Sequence, residues 1–549
     1  MSVREGVSSG RWALRAGARV LPLLVLSSAC AATLGRFPAR APMQRDDDMR
    51  PWGPMPEEYV SPMVWDGADK LLFTPLTNLF WLPVEEREAI DVTALDEVPD
   101  SSWYTNRRLT PAEAGRGFCG EPVDTSGPWT IKSGKPNGVN PGFIFKAADG
   151  RRYVLKTDGL DQPERPTAAD TIGSRIYYAA GYHAACTNVV YFHPSILRID
   201  EDATSEEDGD EVPFTQRHID AVVRVGARGP GGTVRASVSE FLPGIPVGPF
   251  SYRGTLDGDP NDVVPHQHRR ELRAAYLLAA LTSHFDCREQ NTLNIWRETG
   301  PGLGYVEHHY LDWGDSFGSI FDPREIARKL GYSHYFDAPQ AAVNLLTLGI
   351  LHRPWEGRDD EHPLFGLYDV AHFNPDRWRP SYPNPAMSEM TERDAHWMAR
   401  KLAELGPAHI RAMVREGKLS DPRNDKRLTR TILGRRARLL DRYLLTWTPL
   451  SRPRAEGRDL CFDDMATVAG VTAPLLRPMT HEATLDGAPL RARALGDAKV
   501  CVAIPPGGDP YKVVTIRGHI SDEPGFLPPV RIHLWDRPGR PLLVAGVER

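Results

Sequence analysis

Between residues 129 and 160, apolar side chains alternate with polar ones in short runs that are broken by glycine and Asp-Gly turns. A period of two is typical of strands, and such turns are typical of hairpins. We therefore expect a strand, a loop and then a hairpin. The predicted strands lie in WTIKSG (129–134), GFIFKAADG (142–150) and RRYVLKTD (151–158), with two more in NVVYF (188–192) and TVRASVSEFL (233–242).

Other segments follow the period of a helix. Small and apolar residues recur at helical spacing from Ala169 to Ala179, and Gly181 is expected to end that helix. From Arg269 onward the helical period dominates, so the chain changes from strand-rich to helix-rich. The later predicted helices are RRELRAAYLLAALTS (269–283), TERDAHWMARKLAEL (391–405), AHIRAMVREG (408–417) and RLTRTILGRRARLLDRYLL (427–445).

The pattern also predicts irregular segments and a third region. The acidic run IDEDATSEEDGDE (199–211) is typical of a solvated loop, and LSRPRAEGRD (450–459) of a linker. Alternating strands follow in KVCVAI (499–504), KVVTIRG (512–518) and VRIHLW (530–535), which favours a small antiparallel domain.

The chain has 549 residues, more than one ordinary domain contains, so we expect several hydrophobic cores. We expect an α+β chain whose parts have the following bounds. They are a signal segment over 1–32, an extended arm over 33–95, a β-rich lobe over 96–245, a helical lobe over 246–450, and a β domain over 459–549.

Composition and charge exclude one class of partner. Hydrophobic residues make up 41% and charged residues 25% of the chain, as in globular proteins. The formal net charge of -6 gives no basic surface for a polyanion. We therefore expect no nucleic-acid partner.

The N-terminus predicts export. Several arginines precede VLPLLVLSSACAATL (20–34), an apolar run that is too short to span a bilayer and ends in small residues. LSSAC (26–30) resembles a lipobox, in which Cys30 would carry the lipid and be the only membrane attachment. Ala29 and Ala31 also satisfy an ordinary cleavage site. The protein is therefore expected in the periplasm or as an outer-membrane lipoprotein, or else secreted.

Cysteine usage agrees with an exported chain. Apart from Cys30 there are five cysteines, an odd number, so at least one thiol should be free. Cys461 and Cys501 share the C-terminal region and are the expected pair. No two cysteines have the spacing of a zinc site.

The densest polar cluster follows a predicted buried helix, in HFDCREQNTLNIW (284–296). His284, Asp286 and Asn291 form H-x-D-x4-N, which resembles the catalytic loop of protein kinases. There the Asp accepts the proton of the attacking hydroxyl and the Asn binds a metal. We expect His284 to buttress the loop. Alternatively, Asp286 and Asn291 only cap the helix and shape its turn; a metallophosphatase would carry D-x-H, the reverse order.

Further kinase-like elements stand in the same order along the chain. YVLK sets Lys156 at the end of a hairpin strand, and Asp170 lies on the helix that follows. Downstream, YLDWGDSFG (310–318) carries Asp312 ahead of Phe317, where such a fold has its second metal-binding Asp. Taken singly, Lys156 would be an ordinary surface lysine.

The loop KSGKPNGVNPG (132–142) could cradle phosphates, because glycines allow close backbone approach. It is neither a Walker A loop nor G-x-G-x-x-G, so a mobile turn is the alternative. Its candidate phosphate contacts are Gly134, Gly138 and Gly142, with donors at Ser133, Lys135 and Asn137.

Four longer segments resemble a family of secreted bacterial proteins over residues 95 to 445. The core of that family resembles atypical kinases of the HipA and spore-coat CotH kinds. DWGDSFG is similar to the W-D-x-D-x-T-F-G that carries the CotH metal ligand. Asp312 matches that ligand, and Asp315 falls one position away from the second Asp. The segments are DEVPDSSWYTNR (96–107), AAGYHAACTNVVYF (179–192), residues 268–296 and HHYLDWGDSFGS (308–319).

This resemblance implies a two-lobed atypical kinase-like fold, ATP, and Mg²⁺ or Mn²⁺. The implied activity is phosphoryl transfer to a protein or small-molecule acceptor. Because ATP is scarce outside the cytoplasm, the alternative is an inactive pseudokinase-like envelope lipoprotein that binds or scaffolds; a purely structural envelope protein is a third possibility. The implied roles are phosphate orientation for Lys156, support of Lys156 for Asp170, base for Asp286, metal ligands for Asn291 and Asp312, and a nucleotide hinge at Glu240 and Leu242.

Overall fold

The computed structural model describes residues 36–59, 87–135, 141–207, 210–319, 324–470, 479–520 and 524–549, except single positions at 336, 349, 352, 354, 357, 359, 360 and 497. From Phe37 onward the chain forms one unit. The predicted signal segment with Cys30, and Gly138 with Asn137 of the glycine loop, lie outside the described residues. No described helix is long and apolar enough to cross a membrane.

The first sheet contains all the strands predicted before residue 242. Its strands lie in the order β4-β7-β3-β2-β1-β5-β6, so the β2–β3 hairpin is central. Residues on one face pack into a core around Trp129, Phe145 and Leu155. The strands are β1 (Trp129–Gly134), β2 (Gly142–Lys146), β3 (Arg152–Thr157), β4 (Thr187–Phe192), β5 (Leu197–Glu207), β6 (Asp210–Pro213) and β7 (Val234–Glu240).

The acidic run was wrongly predicted as a loop, since it forms β5 and β6. β5 pairs in parallel with β1, with Ile199 opposite Ile131. In β5 only Leu197 and Ala203 are buried, and most of the carboxylates face solvent. β6, with Asp210 and Glu211 exposed, is the edge strand, and a charged edge resists pairing with other chains.

Helices pack mostly beyond this sheet, around one large apolar core. All residues of α4 are buried, including the charged Arg270, Glu271 and Arg273 of its first turn. Gly181 ends α2 at φ 116°, and a Cβ there would lie 2.2 Å from the Tyr104 ring. The helices are α1 (Pro111–Arg116), α2 (Arg165–Ala180), α3 (Gln216–Val225), α4 (Arg270–Thr282), α5 (Arg324–Lys329), α6 (Ala338–Leu346), α7 (Pro385–Ser388), α8 (Glu392–Glu404), α9 (Pro407–Glu416), α10 (Pro422–Tyr443) and α11 (Met465–Val468).

A small sheet follows the polar cluster, built from β8 (Ile245–Pro246), β9 (Thr292–Gly300) and β10 (Leu303–Tyr310). The alternation of side chains along a strand predicts that one of His308 and His309 on β10 faces solvent, but both are buried. The N-terminal segments cover this sheet. The His308 N–H donates to the Ser102 carbonyl at 3.0 Å, and its ring stacks on Trp103.

The C-terminal region is antiparallel, as predicted, but 450–459 is not a linker. It contains most of a hairpin that joins β11 to β12, and Cys461 on β12 is bonded to Cys501 on β16 as expected. Among the described cysteines Cys287 is free, and Cys119 is bonded to Cys186, a pairing the sequence did not predict. The strands are β11 (Leu450–Glu456), β12 (Asp459–Asp464), β13 (Met479–Leu485), β14 (Ala488–Leu490), β15 (Ala492–Leu495), β16 (Lys499–Ala503), β17 (Tyr511–Ile520), β18 (Val530–Trp535) and β19 (Leu543–Glu548).

These elements make a mixed α+β fold, as predicted, and a buried ionic cluster ties its distant parts together. Asp96 lies 2.8 Å from Arg270 of α4 and 2.7 Å from Arg549, the last residue. Burial would raise the pKa of Asp96, but Arg270 and Arg549 outweigh it and hold the pKa well below its usual range. Asp96 therefore stays ionised because of these two arginines, and it in turn compensates their buried positive charges.

Asp96→Asn should destabilise the protein by roughly 3–5 kcal/mol, because it removes the carboxylate paired with the buried Arg549 and one of the two paired with Arg270. Guanidinium chloride unfolding measures the loss. Asp47→Asn is the matched control, since the Asp47 side chain is 75% exposed and should change stability little. Equal stability of both variants would contradict the cluster's role.

Candidate functional site

Lys156 lies on β3 and is the starting point of the site. Tyr153, Leu155 and Thr157 face the sheet's core, so alternation turns Lys156 to the other face. Its ammonium lies 2.9 Å from Asp312 Oδ1 and 3.6 Å from Asp170 Oδ2, with 13% of the side chain exposed. Lys156 is therefore a buried, paired lysine and not an ordinary surface residue.

The two carboxylates differ in their surroundings. Burial alone would lower the pKa of Lys156, but Asp170 and Asp312 outweigh it and raise the pKa. Burial would raise the pKa of Asp312, yet Lys156 and Lys135 hold it well below its usual range. Asp312 is therefore ionised, and its side chain is 37% exposed. It can accept a cation from solvent.

Helix α2 carries Asp170 and fixes its orientation. Asp170 Oδ1 accepts the Trp313 N–H at 3.2 Å, and Oδ2 accepts the Ser237 hydroxyl at 3.3 Å. The Trp313 side chain packs directly on Gly173 of the same helix, where an added Cβ would lie 2.4 Å from Trp313 Cβ. Asp170 thus joins α2, β7 and the segment that carries Asp312.

The loop after α4 is held by Asp315. The buried His284 hydrogen-bonds Asp315 Oδ1 through Nδ1 at 2.6 Å, and the Asp286 N–H donates to Asp315 Oδ2 at 2.9 Å. Burial would lower the pKa of His284, but Asp315 outweighs it and raises the pKa. No role was assigned to Asp315 from the sequence, because Asp315 lies one position away from the second Asp of the family motif.

Asn291 connects Asp286 to Asp312. Its side-chain amide donates to the Asp286 carbonyl at 2.6 Å and to Asp286 Oδ2 at 3.3 Å. The backbone carbonyl of Asn291 accepts the N–H of Leu311, the residue before Asp312, at 2.9 Å. Three predicted residues that are separated by up to 26 positions in sequence (312 − 286 = 26) therefore converge on the face of Lys156.

Asp286 has the pKa of a candidate proton acceptor. Burial and the repulsion of Asp315 and Asp312 raise its pKa to about 6, although Arg288 and His284 oppose them. Arg288 Nε lies 3.1 Å from Asp286 Oδ1. At neutral pH Asp286 is mostly ionised, and a modest fall in pH protonates it.

The glycine loop contributes Lys135 to the same region. Burial and the repulsion of Lys156 lower the pKa of Lys135 to about 8, while Asp312 and Asp170 act in the opposite direction. Packing also explains why residue 134 is a glycine, because a Cβ there would lie 2.4 Å from the Ser205 hydroxyl. Its role toward a phosphate stays a prediction, and Gly138 is outside the described residues.

The predicted hinge lies on β7, which neighbours β3, with Ser237 opposite Lys156. The Glu240 N–H donates to the Cys186 carbonyl at 3.2 Å, and its carboxylate lies 3.2 Å from Arg151. The Glu240 side chain faces away from Lys156, so any nucleotide contact would come from the backbone. Leu242 is half-buried just beyond β7. The hinge role stays a prediction.

The donor atoms suit a hard divalent cation. Asp312 offers a carboxylate, and Asn291 has its amide oxygen left once its amide N–H groups bind Asp286. Mg²⁺ is usually held by one or two carboxylates together with substrate phosphates, so this small oxygen set fits a metal–nucleotide and not a metal alone. Consistently, no group of three or more described His, Cys, Asp or Glu side chains could hold an ion by itself.

Comparison with known proteins gives little further guidance. No family model and no curated protein matches the chain. A structure of the Golgi casein kinase is 14% identical, covers 53% of this chain and 73% of its own, and has a TM-score of 0.23. The same kinase with Mn/ADP bound is 14% identical, with coverages of 57% and 74% and a TM-score of 0.22. TM-scores this low carry no argument about function, so the function has to be inferred from the geometry of the site.

Asp315→Asn should lower the pKa of His284, because burial then acts without the opposing carboxylate. NMR titration of the imidazole measures it. His372→Gln is a useful assignment control, since that imidazole is nearly half exposed. An unchanged His284 pKa would show that Asp315 does not hold the loop electrostatically.

Proposed function

We propose that this protein is an exported atypical kinase that transfers a phosphoryl group from ATP with the help of Mg²⁺ or Mn²⁺. One observation carries the proposal. A buried lysine on the central hairpin pairs with a carboxylate from the following helix and with a second carboxylate beyond the polar loop. Kinases use this combination to hold nucleotide phosphates and metal.

The proposed architecture has two lobes. The sheet β1–β7 with α2 would form the N-terminal lobe, and α4 with the later helices would form the C-terminal lobe. Support comes from the separate apolar cores of the sheet and of the later helices; the buried side chains of α2 lie in the helical core, so α2 would join the two lobes. Lys156 and Asp312 come from these two parts, so a nucleotide would bind where they meet.

Lys156 would orient the α- and β-phosphates, and Asp170 would keep its ammonium in place. Lys135, on the glycine loop, is a second cation that could meet the γ-phosphate. Asn291 and Asp312 would hold the metal, which when bound would neutralise phosphate charge during transfer. Since Lys156 now pairs with Asp312, nucleotide binding would draw the ammonium toward the phosphates.

Asp286 would accept the proton of the acceptor hydroxyl. Its raised pKa gives it basicity close to neutral pH, which favours general-base catalysis. Asp315 and Asn291 fix the loop on both sides of Asp286, so the carboxylate is held before the substrate arrives. The exposed Tyr335 and the half-buried Tyr382 lie near it, and charge on Asp286 raises the pKa of both phenols.

Export and lipid attachment through Cys30 belong to the same proposal. They raise the difficulty that ATP is scarce outside the cytoplasm. The competing function is a pseudokinase-like envelope scaffold, and what favours the kinase is the raised pKa of Asp286, since a scaffold needs no base.

Asp312→Asn should abolish metal-dependent nucleotide binding, whereas Asp286→Asn should leave binding intact and remove turnover. The reason is that a metal ligand is needed in the bound state but a base only during transfer. Thermal stabilisation by ATP with Mg²⁺ or Mn²⁺ measures binding; ligand at 100 times its Kd adds about 2.7 kcal/mol.

Asp441→Asn, an exposed change on α10, is the matched control and should behave as the unaltered protein. Nucleotide binding without turnover in any form would favour the scaffold. Absence of metal-dependent stabilisation in the unaltered protein would remove both nucleotide functions.

Turnover should fall as the pH drops through about 6, because Asp286 gains a proton there and can no longer accept one. A pH profile of kcat measures the acidic limb. Arg288→Gln removes a cation that lowers the Asp286 pKa, so this limb should move to higher pH. A limb that stays in place would assign it to another group.

A further inference from the structure

A second cavity lies away from Lys156, at the opposite end of α2 from Asp170. It has a volume of about 180 Å³ and is bounded by the last turn of α2, residues 104–109, the junction of α8 and α9, and β11. Its polar lining includes Arg107, Arg108, Lys401, Arg452, Glu404 and His409. Four cationic side chains therefore face one carboxylate.

The nearby carboxylates compensate two of these four cations, Arg452 and Lys401, but not Arg107 or Arg108, which have no ion pair within the described residues. Glu404 lies 2.7 Å from Arg452 Nη1, and Asp463, which binds Arg452 Nε, is shared with Arg454. Glu97 lies 3.4 Å from Lys401 but is shared with Arg400. The acidic groups around the cavity are thus already paired.

Arg107 has the least compensation. Its guanidinium donates to the carbonyls of Tyr178 and Tyr182 at 3.1 Å each, and both acceptors are uncharged. Within the described residues Arg107 has no ion pair. Burial lowers the pKa of Arg107, which shows that its charge is held in poorly solvated surroundings. An anion in the cavity would stabilise it.

Arg452 presents a buried donor at the same place. Within the described part of the chain, its Nη2 atom and His409 Nδ1 are buried without hydrogen-bond partners. The backbone of Arg452 has φ 52°, at a bulge in β11. Residues other than glycine rarely adopt this left-handed conformation. A buried donor without a partner is costly, and a bound acceptor would remove that cost.

From these contacts we infer that the cavity binds a small oxyanion, a phosphate or carboxylate group carried on a compact organic molecule. Guanidinium groups bind such oxyanions by paired, charge-assisted hydrogen bonds. The remaining walls include Leu109, Leu405 and Val468, which suit the carbon part of the ligand. This site does not depend on the proposed kinase activity.

The test is isothermal titration calorimetry of the full-length protein with inorganic phosphate and, separately, with acetate. One of the two should bind with one-to-one stoichiometry, and salt should weaken the binding. Preference for phosphate or acetate identifies the source of the oxyanion. Arg107→Gln and Arg108→Gln should each weaken binding, by about tenfold where one charged hydrogen bond is lost.

Arg108 is exposed and makes no hydrogen bond or ion pair within the described residues, so Arg108→Gln keeps the test valid if Arg107→Gln does not fold. Arg411→Gln, an exposed change on α9, is the control and should bind as the unaltered protein does. Lys156→Met should also keep binding, which separates this cavity from the proposed nucleotide site. Failure of both anions to bind, or binding unchanged in both arginine variants, overturns the inference.

Discussion

The ammonium of Lys156 is the charge around which the candidate site is built. A buried cation is costly unless carboxylates compensate it, and here they come from two different elements. Asp170 lies on α2, and Asp312 lies on the segment after β10. Because Asp170 also accepts the Trp313 N–H, and Trp313 packs against Gly173, the ion pairs and the apolar packing hold the sheet and helices in one arrangement.

The polar loop after α4 follows from the same constraint. A fully buried helix gives the loop a fixed start, and Asp315 and Asn291 hold its two ends by hydrogen bonds. This rigidity keeps Asp286 in a buried position beside Asp315 and Asp312, and burial, with the repulsion of these two carboxylates, raises the pKa of Asp286 toward neutrality. Helix capping alone would not need Asp315, Asn291 and Asp312 to converge there.

Much of this was predictable from local pattern. The β2–β3 hairpin and α2 with its end at Gly181 follow from periodicity and turn residues, whereas the convergence of Lys156 with Asp170 and Asp312 was implied by the resemblance to kinases. Predictions failed where tertiary contacts outweigh local signal. β5 forms a strand through its pairing with β1 and β6. His308 is buried under the Trp103 ring, and His309, which alternation turns to the other face, lies beside His183. Asp315 could not be found by spacing, since its partners come together only in the fold.

The most direct test of this account is a crystal structure of the protein with Mn²⁺ and a non-hydrolysable ATP analogue, with the metal located by its anomalous signal. The account predicts a metal at about 2.1 Å from oxygens of Asp312 and Asn291. It also predicts that the Lys156 ammonium leaves Asp312 for the phosphates while staying near Asp170. A nucleotide bound elsewhere, or an intact Lys156–Asp312 pair with no metal beside it, would contradict the proposed site.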